Sequence, residues 1–438
     1  MQDLQNLFAE AVSLHQQNKL NEAEKLYLQV HRLLPQNVNV LANLGIVYRD
    51  LGKLDEAEAC CRQTLAAAPD DPAQYLNLGA VLEARGNLAE AQIAYQQALE
   101  LAPSHPKVLN NLGKLLHQQG VAERGLELLE QAVRIEPNYP MALNNLGVIY
   151  SERGDLHLAG EYLEKSVALD PTNVNALYNL AGVFNAQNNF AKATTVLKRL
   201  LIIDPNHQAA HYMLAALSGT TPVSAPRQYV EEIFDKYAHR FDAHLEKALG
   251  YTAPKALASM VKNACTALPF TATLDLGCGT GLSGAPFRAM TKRLVGVDVS
   301  GQMLAKAAEK KLYDHLECDD ILSFLARDED FYDLFIVADV LVYLGDPKPL
   351  FPAIAARTME NGIVACSLET THHVEDFQLL PTGRYAHNPS YLALCAANAG
   401  FTVLEHQPHK IRKENGQWLE GALYLFISKS NQVNPHTP

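Results

Sequence analysis

The chain has 438 residues, 48% apolar and 19% charged, which suits two or three packed domains and argues against global disorder. Its net charge is −12 and neither half is basic, which makes a phosphate backbone a poor partner short of a small local basic patch, and a nucleic-acid partner is not expected. Seven cysteines form no CxxC pair, Met1 to Leu20 holds no apolar signal core, and no run approaches the ~18 apolar residues of a membrane span, so a cytoplasmic protein without a membrane partner is expected.

From the start of the chain, prolines stand at 35, 69, 103, 137, 171 and 205, each 34 residues after the last. Leu44, Leu78, Leu112, Leu146, Leu180 and Leu214 keep the same step, as do Asn43, Asn77, Asn111, Asn145 and Asn179. Gly45, Gly79, Gly113 and Gly147 form another column, and Gly52, Gly86, Gly120 and Gly154 another. The pattern predicts a helical hairpin per period. The small Gly45 lets the paired helix approach, Gly52 supplies the turn, Asp55 with Glu58 reads as a capping box, and Pro69 stops the second helix. One hairpin cannot bury its apolar face alone, so the units must stack.

These columns resemble the tetratricopeptide repeat family over about residues 3–217, six units and a capping helix from Asn206 to Leu217. Glu10 and Asn18 replace Leu and Gly in the first unit, and Asn188 replaces the turn Gly in the sixth. The resemblance implies an α-solenoid whose groove carries Asn43, Asn77, Asn111, Asn145 and Asn179 as a ladder. Carboxamides both donate and accept, which suits an extended peptide backbone, so a protein or peptide partner is expected. The same asparagines could instead bridge neighbouring helices.

Residues 218–228 are small, polar and Pro-rich and read as a linker between domains 1–217 and 229–430, with 431–438 a flexible tail. Amphipathic helices follow from Tyr229 towards Leu268, with Tyr237 and Phe241 placed to form a lid or, equally, a core stripe. Strands and helices then alternate, as in a parallel α/β sheet. Leu274 to Leu276 reads as a buried strand running into Gly277, Gly279 and Gly281, where bare backbone lets a nucleotide-like cofactor approach a helix N-terminus. Asp298 closes the next apolar strand, where a carboxylate can accept from both ribose hydroxyls. Gly279, Gly281 and Gly284 also satisfy the dinucleotide fingerprint, but that register starts two residues after the strand and leaves Asp275 without a role.

The second half resembles the class I S-adenosylmethionine-dependent methyltransferases over roughly Tyr229 to Lys429, and with Asp235-Lys236-Tyr237-Ala238 before Phe241-Asp242 and a later Arg384-Tyr385-Ala386-His387 the whole chain resembles bacterial predicted methyltransferases that carry tetratricopeptide repeats. The resemblance implies a Rossmann-like α/β fold with a seven-stranded, mostly parallel sheet whose last two strands, Phe401 to His406 and Gly421 to Ser428, form a hairpin turning near Asn415-Gly416. It places Asp275, Gly277, Gly279 and Gly281 around the methionine end of S-adenosylmethionine, Asp298 and Val299 at the ribose, Met303 beside adenine, Asp320 and Ile321 at the adenine amino group, and Ala338 after the fourth strand.

Acceptor chemistry must come from loops at the strand C-termini. Those loops offer Asp339, Tyr343 and His387 as catalytic candidates, with Arg384 and Tyr385 able to bind a carboxylate. The fourth strand lacks the Asn/Asp-Pro-Pro-aromatic run of amide and adenine N-methyltransferases, and no HExxH or Cys/His cluster predicts a metal. Three functions fit: methylation of a protein or peptide recruited by the repeats, methylation of a small or carrier-bound molecule with the repeats used for docking or self-association, and a non-catalytic scaffold.

Overall fold

The computed structural model describes residues 2–239, 241–243, 245, 249–265, 268–414 and 417–429. The turn expected at Asn415-Gly416 and the tail 431–438 lie outside the described residues. Two compact units divide the chain, Met1–Val183 and Phe184–Pro438.

The first unit is a stack of helical hairpins. Its helices are α1 (Gln2–Gln16), α2 (Leu20–Leu33), α3 (Val38–Asp50), α4 (Leu54–Ala67), α5 (Pro72–Ala84), α6 (Leu88–Leu101), α7 (Pro106–Gln118), α8 (Ala122–Ile135), α9 (Pro140–Glu152), α10 (Leu156–Leu169) and the start of α11 (Val174–Ala186). The glycine column is a packing requirement. A Cβ on Gly147 would lie 2.5 Å from Leu163 Cγ, and one on Gly79 would lie 2.5 Å from the Tyr95 ring. At the turns, Gly52, Gly86, Gly120 and Gly154 all have positive φ, and Asn18 (φ 59°) and Asn188 (φ 58°) take the same left-handed conformation where glycine is missing. The expected capping box is absent. Lys53 is the N-cap of α4 without a side-chain bond, and Asp55 instead pairs with Arg85 one unit along, 2.5 Å away.

The second unit begins with the end of α11, then α12 (Phe190–Ile203) and α13 (Gln208–Ser218), so the compact unit starts before the periodicity ends. The reason lies in polar anchors. Asn185 Nδ2 donates to Pro381 O (2.8 Å) and Tyr212 OH to Gly383 O (3.1 Å). The Pro-rich stretch after α13 is also pinned: Asp346 N donates to Val223 O (2.8 Å) and Tyr385 OH to Pro222 O (3.0 Å). Two short helices follow, α14 (Arg227–Tyr237) and α15 (Phe241–Ala243), and then α16 (Ala253–Ala264).

The sheet is built from β1 (Phe270–Leu276), β2 (Thr291–Asp298), β3 (His315–Cys318), β4 (Tyr332–Val337), β5 (Thr358–Glu369), β8 (Phe401–Glu414) and β9 (Gln417–Ser428), while β6 (Phe377–Leu379) and β7 (Tyr385–His387) pair separately. The order is β3-β2-β1-β4-β5-β9-β8, parallel except for β9 and β8. Strands covered on both faces read as continuous apolar runs. In β4, Phe335 and Val337 join one core while Leu334 and Ile336 join the other. The remaining helices are α17 (Gly301–Glu309), α18 (Ile321–Arg327), α19 (Leu341–Leu344), α20 (Leu350–Ala355) and α21 (Pro389–Asn398). The expected helix directly after the glycine turn is instead a 3₁₀ turn, Ala285–Met290, entered from Gly284, which has no room for a side chain against Tyr313 and Asp275.

Candidate functional site

Parallel pairing sets the geometry. Leu276 lies opposite Val297, so Gly277 and Asp298 leave the same sheet edge side by side. Gly277, Gly279 and Gly281 have φ of 73°, 53° and 88°, a run that residues with a Cβ would resist. The turn is tied to the neighbouring strand by Gly277 N to Val297 O (2.8 Å) and by Gly279 N to Asp298 Oδ2 (2.8 Å). Asp298 Oδ1 accepts from Ser300 N (2.9 Å). Burial raises the Asp298 pKa, against the backbone N–H groups that lower it.

Asp275 is fully buried. Ser283 Oγ and Tyr313 OH each donate to its Oδ2 at 2.7 Å, while Oδ1 has no hydrogen-bond partner among the described residues. Burial pushes its carboxyl up to about 7, the two hydroxyls acting in the opposite sense. Ser283 and Tyr313 were invisible as site residues in the sequence, since neither belongs to a spaced motif.

Asp298 and Asp320 close neighbouring strand ends, Asp319 N donating to Asp298 O (3.1 Å). Asp320 caps α18 through Leu322 N and Ser323 N (3.0 Å each), and the half-buried Ile321 packs on one sheet core. Val299 is half-buried, while Met303 is fully buried, its N–H donating to Ser300 Oγ (3.1 Å). Ala338 is buried at the end of β4.

Tyr237 and Phe241, expected as a lid or a core stripe, stand beside the glycine turn, with Phe241 packed on one sheet core. Tyr237 and Phe241 meet edge to face at 5.6 Å, and Phe241 Cε1 lies 3.8 Å from where a Cβ on Gly279 would be. Two carboxylates fasten this segment. Asp235 accepts from Ser300 Oγ (2.6 Å) and Gln302 N (3.3 Å), and Asp242 accepts from Thr280 Oγ1 and from Lys310 Nζ (2.5 Å). In the sequence alone neither acid has a role; only the fold brings them to the turn.

At the other side of the turn, Val340 Cγ2 lies 2.5 Å from a Cβ built on Gly277, so the residues after β4 pack against the glycines. Asp339 has φ 61°, a left-handed conformation unusual for a residue with a Cβ, and its N–H donates to Ser367 Oγ (2.8 Å). Arg412 Nη1 holds both its oxygens, at 2.8 and 2.5 Å. Arg412 Nη2 also reaches Glu369 Oε2 (3.4 Å), which Arg384 Nε meets at 3.4 Å while Arg384 Nη2 donates to Glu414 Oε2 (2.7 Å). Tyr343 lies within electrostatic reach of Arg384, Arg412, Asp339 and Glu369 and packs edge to face on Phe234 at 5.2 Å.

Two expectations need correcting. His387 is fully buried with its Nε2 2.6 Å from Gly345 O, stacks on Phe377, and burial pulls its pKa down, so it is a neutral structural histidine rather than a base at an open site. Tyr385 is fully buried and spends its hydroxyl on Pro222 O, so it offers nothing to an acceptor. Arg384 does lie at the site, but its guanidinium is already held by Glu369 and Glu414.

In the first unit the asparagines Asn43, Asn77, Asn111, Asn145 and Asn179 are all half-buried. Several bridge helices. Asn145 Nδ2 donates to Asn110 Oδ1 (2.8 Å) and Asn179 Nδ2 to Asn144 Oδ1 (3.0 Å), each from one helix to another, and Asn43 Oδ1 accepts from Tyr27 OH (3.4 Å), while the bonds from Asn110 Nδ2 to Asn111 Oδ1 (3.0 Å) and from Asn43 Nδ2 to Asn39 O (2.8 Å) stay within one helix. Neighbouring helices are thus bridged at Asn43, Asn145 and Asn179. Among the described residues no helix is long and apolar enough to cross a membrane, and no group of three His, Cys, Asp or Glu is placed to hold a metal.

Comparison with known proteins gives two kinds of match. Models of the tetratricopeptide repeat match residues 36–104, 76–140, 128–161 and 150–217, and a methyltransferase-domain model matches residues 274–364. Trans-aconitate 2-methyltransferase of Variovorax paradoxus (strain S110) is 32% identical over 108 residues, 23% of this chain and 41% of that protein. The chain thus spans about two fifths of that relative's length. Among solved structures, the Cut9–Hcn1 hetero-tetramer is 20% identical with a TM-score of 0.46, covering 49% of this chain and 42% of that one. Pseudomonas aeruginosa pilF is 22% identical with a TM-score of 0.38, covering 41% and 82%.

Proposed function

We propose that this chain, a tetratricopeptide-repeat protein carrying a class I methyltransferase domain, transfers the methyl group of S-adenosylmethionine to a protein or peptide recruited by its repeats. The observation that carries the cofactor is the conjunction at one sheet edge of three left-handed glycines, the buried Asp275 with an unpartnered Oδ1, and the Asp298 carboxylate. A cation suits an orphaned carboxylate oxygen, and S-adenosylmethionine brings an ammonium at its methionine end. Asp298 would take the ribose hydroxyls through its remaining lone pairs, with Val299, Met303, Asp320 and Ile321 around the base, and Gly277, Gly279 and Gly281 admitting the methionine moiety. When bound, the cofactor supplies an electrophilic methyl group.

The rest falls to this chain's residues. Alignment of the acceptor and exclusion of water supply much of the acceleration in such displacements. Phe241 and Tyr237 on the fastened lid cover the turn, and Asp339 presents an oriented carboxylate beside it. Repeats of this kind hold partners rather than react, and the half-buried carboxamides of Asn43, Asn77, Asn111, Asn145 and Asn179 retain capacity for a peptide backbone beyond the bridges they make.

The test has two arms. Calorimetry with S-adenosylmethionine checks the cofactor, and absence of binding at high micromolar concentration would favour a scaffold. Incubation with methyl-labelled cofactor and cell lysate checks the acceptor; label confined to small molecules would reject a polypeptide acceptor. The similarity to a trans-aconitate methyltransferase favours, as a second reading, a small-molecule acceptor with the repeats used for docking.

A further inference from the structure

The acceptor side of the site combines two features of the second unit. One is a net-negative ionic cluster: the carboxylates of Asp339, Glu369 and Glu414 against the guanidiniums of Arg412 and Arg384. Both arginines are already paired, Arg412 with Asp339 and Glu369 and Arg384 with Glu369 and Glu414, so three carboxylates share two guanidiniums and an anionic acceptor would have to compete with them. The second is an aromatic group whose Tyr343 lies within electrostatic reach of the first: Tyr343, Phe234 edge to face with it at 5.2 Å, Phe241 at 6.0 Å from Phe234, and Tyr237 at 5.6 Å from Phe241.

Within the ionic cluster burial is graded. Arg412 and Glu369 are buried at 5% exposure each, while the Asp339 side chain keeps 21%. The inner members therefore brace the outer one. Arg412 is a positioning residue, locking Asp339 in its left-handed conformation at the glycine turn, and Asp339 keeps an edge open.

We infer that the acceptor is an amine, the side chain of a lysine or a terminal amino group. This rests on the methyltransferase reading above and names its substrate class. A surplus carboxylate beside aromatic faces attracts a cationic nitrogen through charge and cation–π contact and repels a carboxylate. The amine enters as an ammonium held at Asp339 and gives up one proton to solvent along the exposed edge of that carboxylate. Its freed lone pair forms the N–C bond to the methyl carbon, and the C–S bond breaks with its electron pair going to sulfur. One proton is released, and the positive charge passes from sulfonium to the methylated ammonium.

The test uses the full chain and two N-acetylated pentapeptide amides that differ only in a central Lys or Glu, with trans-aconitate as a third probe. With methyl-labelled S-adenosylmethionine, label should enter the Lys peptide, resist mild base that hydrolyses methyl esters, and be recovered as N-methyl-lysine after acid hydrolysis. Saturation-transfer NMR on protein loaded with S-adenosylhomocysteine reads binding without turnover, and the Lys peptide should saturate several-fold more strongly than the Glu peptide. Asp339→Asn keeps a residue that tolerates positive φ, and Phe234→Leu keeps apolar bulk. Each should cut the Lys-peptide signal roughly fivefold, about the worth of one charge-assisted or cation–π contact, with S-adenosylmethionine affinity unchanged. Base-labile label on the Glu peptide or trans-aconitate overturns the amine assignment. So does equal or absent saturation by the two peptides in protein that binds S-adenosylmethionine. Failure to bind S-adenosylmethionine overturns the methyltransferase reading instead.

Discussion

Asp275 shows how one residue ties stability to ligand. Its carboxyl is raised to about 7 by burial, so between the ordinary carboxylate range and about pH 7 the folded chain holds a proton the unfolded chain has lost. Stability from this group is full in acid and falls as pH rises through about 7, by at most roughly 1.4 kcal/mol per pH unit. Asp275→Asn should flatten that slope, read as denaturation midpoints across the window. Cofactor affinity should move the other way, tightening as pH rises through about 7 because an ammonium favours the ionised carboxylate, and the Asn variant should lose this rise in calorimetry. Asp298→Ala removes the acceptor that also anchors Gly279 N and Ser300 N, and should weaken S-adenosylmethionine binding by about 1–3 kcal/mol. Unchanged calorimetric affinity in the folded variant would place the ribose elsewhere.

At the scale of elements, the repeat glycines divide into two kinds. Gly147→Ala drives a Cβ to 2.5 Å from the buried Leu163 Cγ and should cost about 1–3 kcal/mol in denaturant unfolding. Asn188→Gly, at φ 58° in a turn, should change stability by less than about 1 kcal/mol, since glycine relieves left-handed strain but loosens the unfolded chain. The terminal hairpin explains how Arg412 came to the site. β8 was expected to end near His406 but runs to Glu414, and a register shift between Lys410 and Lys413 breaks its alternation. Ile411 and Arg412, consecutive and both buried, lie within that irregularity.

For the whole molecule, the asparagine column has to be separated into bridge and ligand. Replacing Asn77, Asn111 and Asn145 together by Ala should abolish peptide capture while leaving S-adenosylmethionine affinity unchanged. It should also lower the repeat unit's thermal midpoint, because Asn145 bridges to Asn110 across units and Asn111 accepts from Asn110. Pull-down with the triple variant beside calorimetry checks both halves; capture that survives would make the column wholly structural.

The sequence by itself determined what depends on local geometry. The 34-residue period, the glycine and proline positions, and Asn18 and Asn188 at the turns follow from backbone conformation and close packing, which act over a few residues and leave a pattern. The glycine turn with Asp275 and Asp298 was legible for the same reason, as strand ends fix both positions along the chain. Tertiary structure alone decided the long-range partners: Ser283 and Tyr313 on Asp275, Ser300 on Asp235, Lys310 on Asp242, and Arg412 on Asp339. It also withdrew His387 and Tyr385 into the core. A charged or aromatic side chain carries no periodic mark of what it will meet 70 residues away; only the closing of the sheet brings the pair together and sets which of them water can reach.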